Sequence, residues 1–391
     1  MNLDFAASAD KEQVVEIWRY CFNDSIEYTD YYFKSRYKSE NTLVAKDSGN
    51  VVSALQLNPY RISFGGKSYD TSYIVGVSTL PHYRGLGIVR KLFDFALDEL
   101  YKRGELVSIL MPIDFSIYRK FGYEAVCEQY MYELGMDMLS GFKPTRRFRL
   151  AGAADKDFDI LAGIYADFTH GKNLFTLRNS NYYKELLEEI KLDKGGIAMA
   201  EGRLGFDGYM AYTLEGDSMI VREIVYTDID ALKSLLGYAY SHKTQVAKVI
   251  INTFKNDYIY RVLPDIRNIK LSIKPFLMGR IVNLKGFLES IQTTSSFDPF
   301  IMNIEDEMLP ENSGCFKISC DSEGFVRVEA AAAGEPVDAS MDITALSQLS
   351  FGYMSPHELF FIGKISCLDK GVLDSLSAIF KVGLNYFNEY V

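Results

Sequence analysis

The chain has 391 residues, 48% of them apolar, and a formal net charge of −10, which allows two or three domains with real cores and argues against nucleic acid as a partner while admitting cationic small molecules. Five scattered cysteines (Cys21, Cys127, Cys315, Cys320, Cys367) read as reduced thiols, and four distant histidines (His82, His170, His242, His357) lack metal-ligand spacing. With no apolar run long enough to span a bilayer and acidic residues where a leader would be basic, a cytoplasmic protein without metal or membrane partner is expected.

Residues 1–145 read as a first unit. Residues 3–5 form a short strand, Asp10 and Gln13 a capping pair, and Val14, Val15, Ile17, Trp18 and Cys21 a helical face. The loop Phe22-Asn23-Asp24-Ser25 follows, with loop expected on to Tyr32. Residues 42–45 and 51–57 flank Lys46-Asp47-Ser48-Gly49-Asn50 as a hairpin, and a second hairpin turns at Gly65-Gly66. Ile74, Val75 and Val77 then make a buried strand stopped by Pro81, after which Val89, Leu92, Phe93, Ala96 and Leu100 recur at helical spacing. Between strand and helix lie Arg84, Gly85 and Gly87. A helix start has unpartnered N–H groups and a partial positive charge, glycines leave the approach open, and Arg84 adds a fork for phosphate oxygens. An ordinary strand-to-helix turn fits the same residues. The turn is neither a Walker loop nor a GxGxxG fingerprint. Residues 106–111 are the next strand, and Asp114 opens a short helix through Ile117-Tyr118-Arg119-Lys120-Phe121 that Gly122 closes.

Arg84-x-x-Gly87-x-Val89 resembles the acetyl-CoA pyrophosphate loop of the GCN5-related N-acetyltransferases (GNAT), usually [QR]-x-x-G-x-[GA]. Val89 departs from the last position, and Gly87-Ile88-Val89-Arg90 is similar to the G-[LI]-[LV]-R of the enhanced-intracellular-survival (Eis) branch. The segment from Ile117 to Tyr123 resembles the second GNAT hallmark at the right distance. The resemblance implies that Arg84, Gly85, Gly87, Ile88 and Val89 hold the pyrophosphate, and that the peptide groups of Val77 and Thr79 pair with the pantetheine arm and polarise the thioester. It makes Tyr118 the acid that protonates the leaving sulfur; a half-buried tyrosine packing its ring is the other reading. The strand at residues 73–79 lacks the glutamate that several GNAT enzymes carry there. Eis resemblance implies that the free C-terminal carboxylate, on Val391, is the base, its reference pKa of about 3.5 raised by burial. Residues 386–391 are apolar and aromatic to the end and are expected to dock, for catalysis or as plain packing. Phe22 and Asp24 match the aromatic and acidic wall of the family's acceptor pocket; Asp24 also reads as a surface cap.

Residues 146–285 echo that order, with a helix at 158–168, strands at 196–200, 208–213 and 219–226, a helix at 231–240 and a strand at 249–252. The glycine loop is replaced by Thr227-Asp228-Ile229-Asp230, whose carboxylates cap a helix and repel phosphate. This reads as a degenerate acetyltransferase repeat. Residues 286–391, with strands at 316–319 and 326–330 and helices at 344–349 and 372–380, look like the sterol-carrier-protein-like domain that closes Eis chains. The expected fold is thus α/β (α+β), tandem GNAT folds plus a sterol-carrier-protein-like domain. The resemblance implies an acetyl-CoA-dependent N-acetyltransferase acting on aminoglycosides, polyamines or lysine-like amines, assembled as a hexamer. A non-catalytic acetyl-CoA sensor or apolar-ligand carrier is the competing expectation.

Overall fold

The computed structural model describes residues 1–267 and 269–390. These form two compact units: Met1–Cys127 with Phe276–Asn385 and the residues from Glu389 on, and Glu128–Pro275 with Tyr386–Asn388. The first repeat runs β1 (Asn2–Phe5), α1 (Lys11–Cys21), α2 (Ile26–Ser35), β2 (Thr42–Asp47), β3 (Asn50–Phe64), β4 (Lys67–Thr79), α3 (Ile88–Lys102), β5 (Val107–Leu110), α4 (Phe115–Arg119) and β6 (Glu124–Gly135). The second runs β7 (Arg147–Leu150), α5 (Asp157–Thr169), β8 (Phe175–Thr176), α6 (Ser180–Leu192), β9 (Gly196–Glu201), β10 (Phe206–Glu215), β11 (Ser218–Tyr226), α7 (Ile229–Tyr240), β12 (Lys248–Phe254), α8 (Ile259–Val262) and β13 (Lys270–Ile281).

In the first unit β1, β2, β3 and β4 pair antiparallel in order, β5 lies parallel to β4, and β13 closes the row antiparallel to β5. The second unit repeats the pattern as β7, β9, β10, β11, parallel β12 and antiparallel β6. Each repeat therefore completes its sheet with the other repeat's last strand. α3 buries Ile88, Leu92, Phe93, Ala96, Leu97 and Leu100 against Leu43, Leu55, Leu57, Ile74 and Leu110. Each such side chain contributes about 1.5–3 kcal/mol on burial, so this helix is fixed by its apolar face rather than by its ends.

The remainder of the chain adds α9 (Leu284–Ser290), β14 (Phe300–Glu305), β15 (Gly314–Cys320), β16 (Val326–Ala330), β17 (Ala339–Asp342), α10 (Ile343–Ser350), α11 (Pro356–Phe361), β18 (Ile365–Cys367) and α12 (Gly371–Ile379). Their sheet has the order β16-β15-β14-β17-β18. Within the first unit this domain is locked on by Arg280, a wholly buried side chain paired with buried Asp306 and donating to the Phe121 carbonyl. Asp306 also accepts from Asn312 Nδ2 at 2.9 Å and from the Met308 N–H at 3.0 Å, so the buried charges are satisfied. Gly122 closes α4 with φ +79°, and a Cβ there would come within 2.7 Å of Arg280. No helix among the described residues is long and apolar enough to cross a membrane.

Two local readings change. Asp10 does not cap α1; its carboxylate accepts from the Ala7 N–H at 2.7 Å and pairs with Lys46, while Gln13 accepts from the Val51 N–H at 2.8 Å. The stretch after Ser25, expected to be loop, is α2, with Ser25 Oγ accepting from the Tyr28 N–H at 3.1 Å.

Candidate active site

The site is built on a break in β4. Ala54 pairs with Ser78 but Gln56 pairs with Val75, so β4 carries an extra residue opposite β3, a bulge at Gly76 and Val77. Gly76 has φ +64°, and a Cβ there would meet Trp18 at 2.5 Å and Gln56 Nε2 at 2.9 Å. Only glycine satisfies that backbone and that packing together. Among the described residues the pairing of β4 with β5 ends at Ile74 and Leu110. Beyond the bulge, Val77 and Thr79 thus present peptide groups on a sheet that has opened.

At the end of β4 the chain turns through residues 80–87 into α3. Thr79, Arg84, Gly85, Gly87, Ile88, Val89 and their neighbours line a cavity of about 240 Å³. Gly87 is the N-cap of α3 in the left-handed region at φ +74°, and no side chain caps the first turn. Its N–H groups are left for a ligand. Gly85 and Gly87 have no atom within 4 Å of a built Cβ. Both sit at positive φ, which favours glycine, and the space beside them is open. Arg84 Nε donates to the Thr79 carbonyl at 3.1 Å, which ties its guanidinium to the strand end, and its Nη2 lies 3.9 Å from Cys21 Sγ.

Tyr118 sits in α4, 5% exposed, its ring edge-on to Phe93 at 6.0 Å in the same core cluster as Ile88 and Leu92. Burial, and then the charge of Asp114, push its phenol up to about 12. It is a proton donor at any ordinary pH. Phe22 and Asp24 both pack on Trp18. Phe22 lies 4.7 Å from it, and Asp24 accepts from the indole N–H at 2.9 Å. Asp24 thereby holds the ring that presses on the bulge. Val391 lies outside the described residues. Ahead of it, Glu389 is 2% exposed and its carbonyl accepts the Tyr73 hydroxyl at 3.1 Å, while Tyr390 packs on Phe276 at 5.1 Å.

Sequence reasoning missed Trp18, Tyr32 and Gln56 as site residues. Tyr32 stacks on Trp18 at 4.6 Å, accepts from Asn58 Nδ2 and donates to Gln56 Oε1, each at 2.9 Å. That chain fixes the Gln56 amide so that its Nε2, buried and without a partner among the described residues, stands beside the bulge. A buried unpaired donor costs about 1–3 kcal/mol. It fits a ligand carbonyl arriving in the opened sheet.

The second repeat keeps the bulge and a tyrosine at matching spacing, and differs in the bulged residue and in the turn. Ala211 pairs with Glu223 and Tyr212 with Val221, leaving Arg222 as the extra residue, in the place that Gly76 holds. Its strand reaches α7 through residues 227–228, and Asp228 caps the helix by accepting from the Ala231 N–H at 2.7 Å. Tyr260 and Arg261 follow Val249 at the spacing by which Tyr118 and Arg119 follow Val107, a short repeat that inspection of the sequence could have found.

Models of the acetyltransferase (GNAT) domain match residues 2–126 and again 176–281, and a sterol carrier protein domain matches residues 284–388. An uncharacterized N-acetyltransferase of Streptomyces avermitilis is 21% identical over 332 residues, 81% of this chain and 80% of the relative. A second, from Streptomyces coelicolor, is 20% identical over 333 residues, covering 81% and 79%. The fold is shared with a probable N-acyltransferase of Enterococcus faecalis (TM-score 0.88, 22% identity, 100% and 99% of the two chains). It is shared also with a GCN5-related N-acetyltransferase of Anabaena variabilis (0.85, 22%, 100% of both) and with Eis1 of Mycobacterium abscessus (0.78, 18%, 100% of both). With two acetyltransferase (GNAT) domains accounting for most of its length and a sterol carrier protein domain after them, the chain is a GCN5-related N-acetyltransferase.

Proposed function

We propose that the protein transfers the acetyl group of acetyl-CoA to a primary amine of a cationic small molecule, an aminoglycoside, polyamine or lysine-like amine, by direct attack. In this reading residues 1–145 are the catalytic domain, residues 146–285 a degenerate acetyltransferase repeat, and residues 286–391 the closing sterol-carrier-protein-like domain. The observation that carries it is the opened β4 bulge beside an uncapped α3 N-terminus. Arg84, Gly85, Gly87, Ile88 and Val89 hold the pyrophosphate by backbone N–H groups and one guanidinium. The peptide groups of Val77 and Thr79 take the pantetheine arm and polarise the thioester carbonyl. The amine nitrogen bonds to the carbonyl carbon, the C–S bond breaks, and no acyl-enzyme forms.

Tyr118 faces the leaving sulfur. With its phenol at about 12 and a thiol near about 8.5, complete transfer of its proton to a thiolate is uphill by about 5 kcal/mol. Tyr118 therefore acts as a hydrogen-bond donor as the C–S bond stretches, and gives up its proton only as solvent replaces it. The Val391 carboxylate takes the ammonium proton, Phe22 and Asp24 wall the acceptor, and the assembly is a hexamer; these assignments rest on the Eis resemblance.

The test is thiol release from acetyl-CoA by full-length protein left untagged at its C-terminus, across aminoglycosides, polyamines and arylalkylamines. Amine-dependent release, lost when one residue is appended after Val391, is the expected result. Acetyl-CoA binding with no release for any amine would overturn it in favour of a sensor or carrier.

A further inference from the structure

The second repeat has kept a cleft at the place where the first opens its sheet. A cavity of about 730 Å³ lies at the end of β11, the start of α7 and the end of β12, lined by Phe168, Lys172, Tyr226, Asp228, Phe254 and Tyr258 among others. Its one lysine stands in the loop after α5, the counterpart of the loop after α1 that carries Phe22 and Asp24. Lys172 Nζ lies 3.6 Å above the Phe168 ring and 4.9 Å from that of Phe254, and donates to the Phe168 carbonyl. The ring faces and the carbonyl favour an ammonium and burial favours the amine; burial prevails and brings the group down to about 8. The carboxylates of the cleft are occupied or at its edge. Asp228 caps α7 and pairs with Arg146 at 3.3 Å, Asp167 is exposed, and nearby Asp257 accepts from the Tyr132 hydroxyl and the Ile259 N–H.

We propose that Lys172 is an acyl-acceptor site of the protein itself, an amine nucleophile that an activated acyl compound reaches through the open cleft. The Nζ lone pair attacks the acyl carbon of an ester or thioester. The N–C bond forms, the C–O or C–S bond breaks, and the leaving oxygen or sulfur departs with the proton that nitrogen releases. The product is a neutral amide in place of the cation over Phe168. Two aspartates at the start of α7 repel polyphosphate, so a donor without phosphates enters more readily than acetyl-CoA. That acetyl-CoA serves as a donor at all rests on the function proposed above; the ester does not need it.

The experiment is peptide mass spectrometry of the full-length protein after brief exposure to p-nitrophenyl acetate and, separately, to acetyl-CoA. An amine near pKa 8 is about a quarter neutral at pH 7.5, against about 0.1% for an ordinary lysine, and lower basicity returns part of that gain. Lys172 is expected to acetylate roughly 10-fold or more faster than exposed Lys194 and Lys274, with a rate that rises through about pH 8, and faster with the ester than with acetyl-CoA. Labelling of Lys172 no faster than those two lysines would overturn the proposal. Ester labelling lost in Arg84→Ala would overturn it too, since it would assign the transfer to the first domain. Lys172→Arg is expected to leave amine-dependent thiol release unchanged. Absence of that release in the wild type, with ester labelling of Lys172 intact, would sink the proposed function and leave this inference standing.

Discussion

The two acetyltransferase repeats share their order, their sheet pattern and a bulge on the fourth-placed strand of each, yet the helix that follows starts uncapped in one and capped in the other. The first leaves its strand by the longer turn at residues 80–87, with two glycines at positive φ and an uncapped helix; the second takes the shorter turn at 227–228 and caps with an aspartate. The difference teaches that the site is held by a few turn residues, whereas the fold is held by apolar faces. α7 buries Leu232, Leu235 and Leu236 much as α3 buries Leu92, Phe93 and Leu97, so the two repeats keep like cores behind unlike turns.

Paired substitutions sharpen this contrast. Tyr118→Phe is expected to lower kcat by about 10²–10⁴ with acetyl-CoA affinity unchanged, while Tyr260→Phe at the matching place leaves kcat alone; equal losses would break the comparison. Gly76→Ala places a Cβ 2.5 Å from Trp18 at φ +64° and should cost about 3 kcal/mol or more and abolish turnover. Arg222→Ala removes the cation paired with buried Glu189 and should cost about 3 kcal/mol by chemical denaturation with kcat unchanged.

Asp257 gives a pH signature to the second repeat alone, because Phe115 stands at its place in the first. Burial lifts its carboxyl from an ordinary 3.8 to about 6. The folded state then holds the proton more tightly than the unfolded one, so the stability it contributes is complete below about pH 4 and lost as pH rises through 6. The loss is about 3 kcal/mol at most. Hydrogen exchange of β12 amides should show protection falling over that window in wild type and flat in Asp257→Asn. Smallest in effect, Arg84→Ala should raise the KM for acetyl-CoA about 10- to 100-fold through loss of a charge-assisted contact. Asp228→Ala should cost about 1 kcal/mol of stability without touching KM.

Much of this was legible in the chain. The switch from strand to helical period around Gly87 marked the turn, Asp114 and Gly122 bounded the helix of Tyr118, and the aspartates after Thr227 marked a capped helix start in the second repeat. What escaped was what depends on distant partners. α2 is dense in tyrosine and phenylalanine, residues of weak helix propensity, and forms because Tyr32 and Phe33 bury against Trp18. The exchange of β6 and β13 leaves no local trace, since each strand's partner is set by chain far away in sequence. Asp24 was legible as a carboxylate in the right loop, but its bond to Trp18 depends on a helix geometry that the pattern does not give.

The central claim is that one repeat holds acetyl-CoA and the other does not. Calorimetric titration of acetyl-CoA into the full-length protein tests it most directly. One site per chain, weakened about 10- to 100-fold in Arg84→Ala and retained in Asp228→Ala, is the predicted result; two sites per chain, or one that survives Arg84→Ala unweakened, would contradict it.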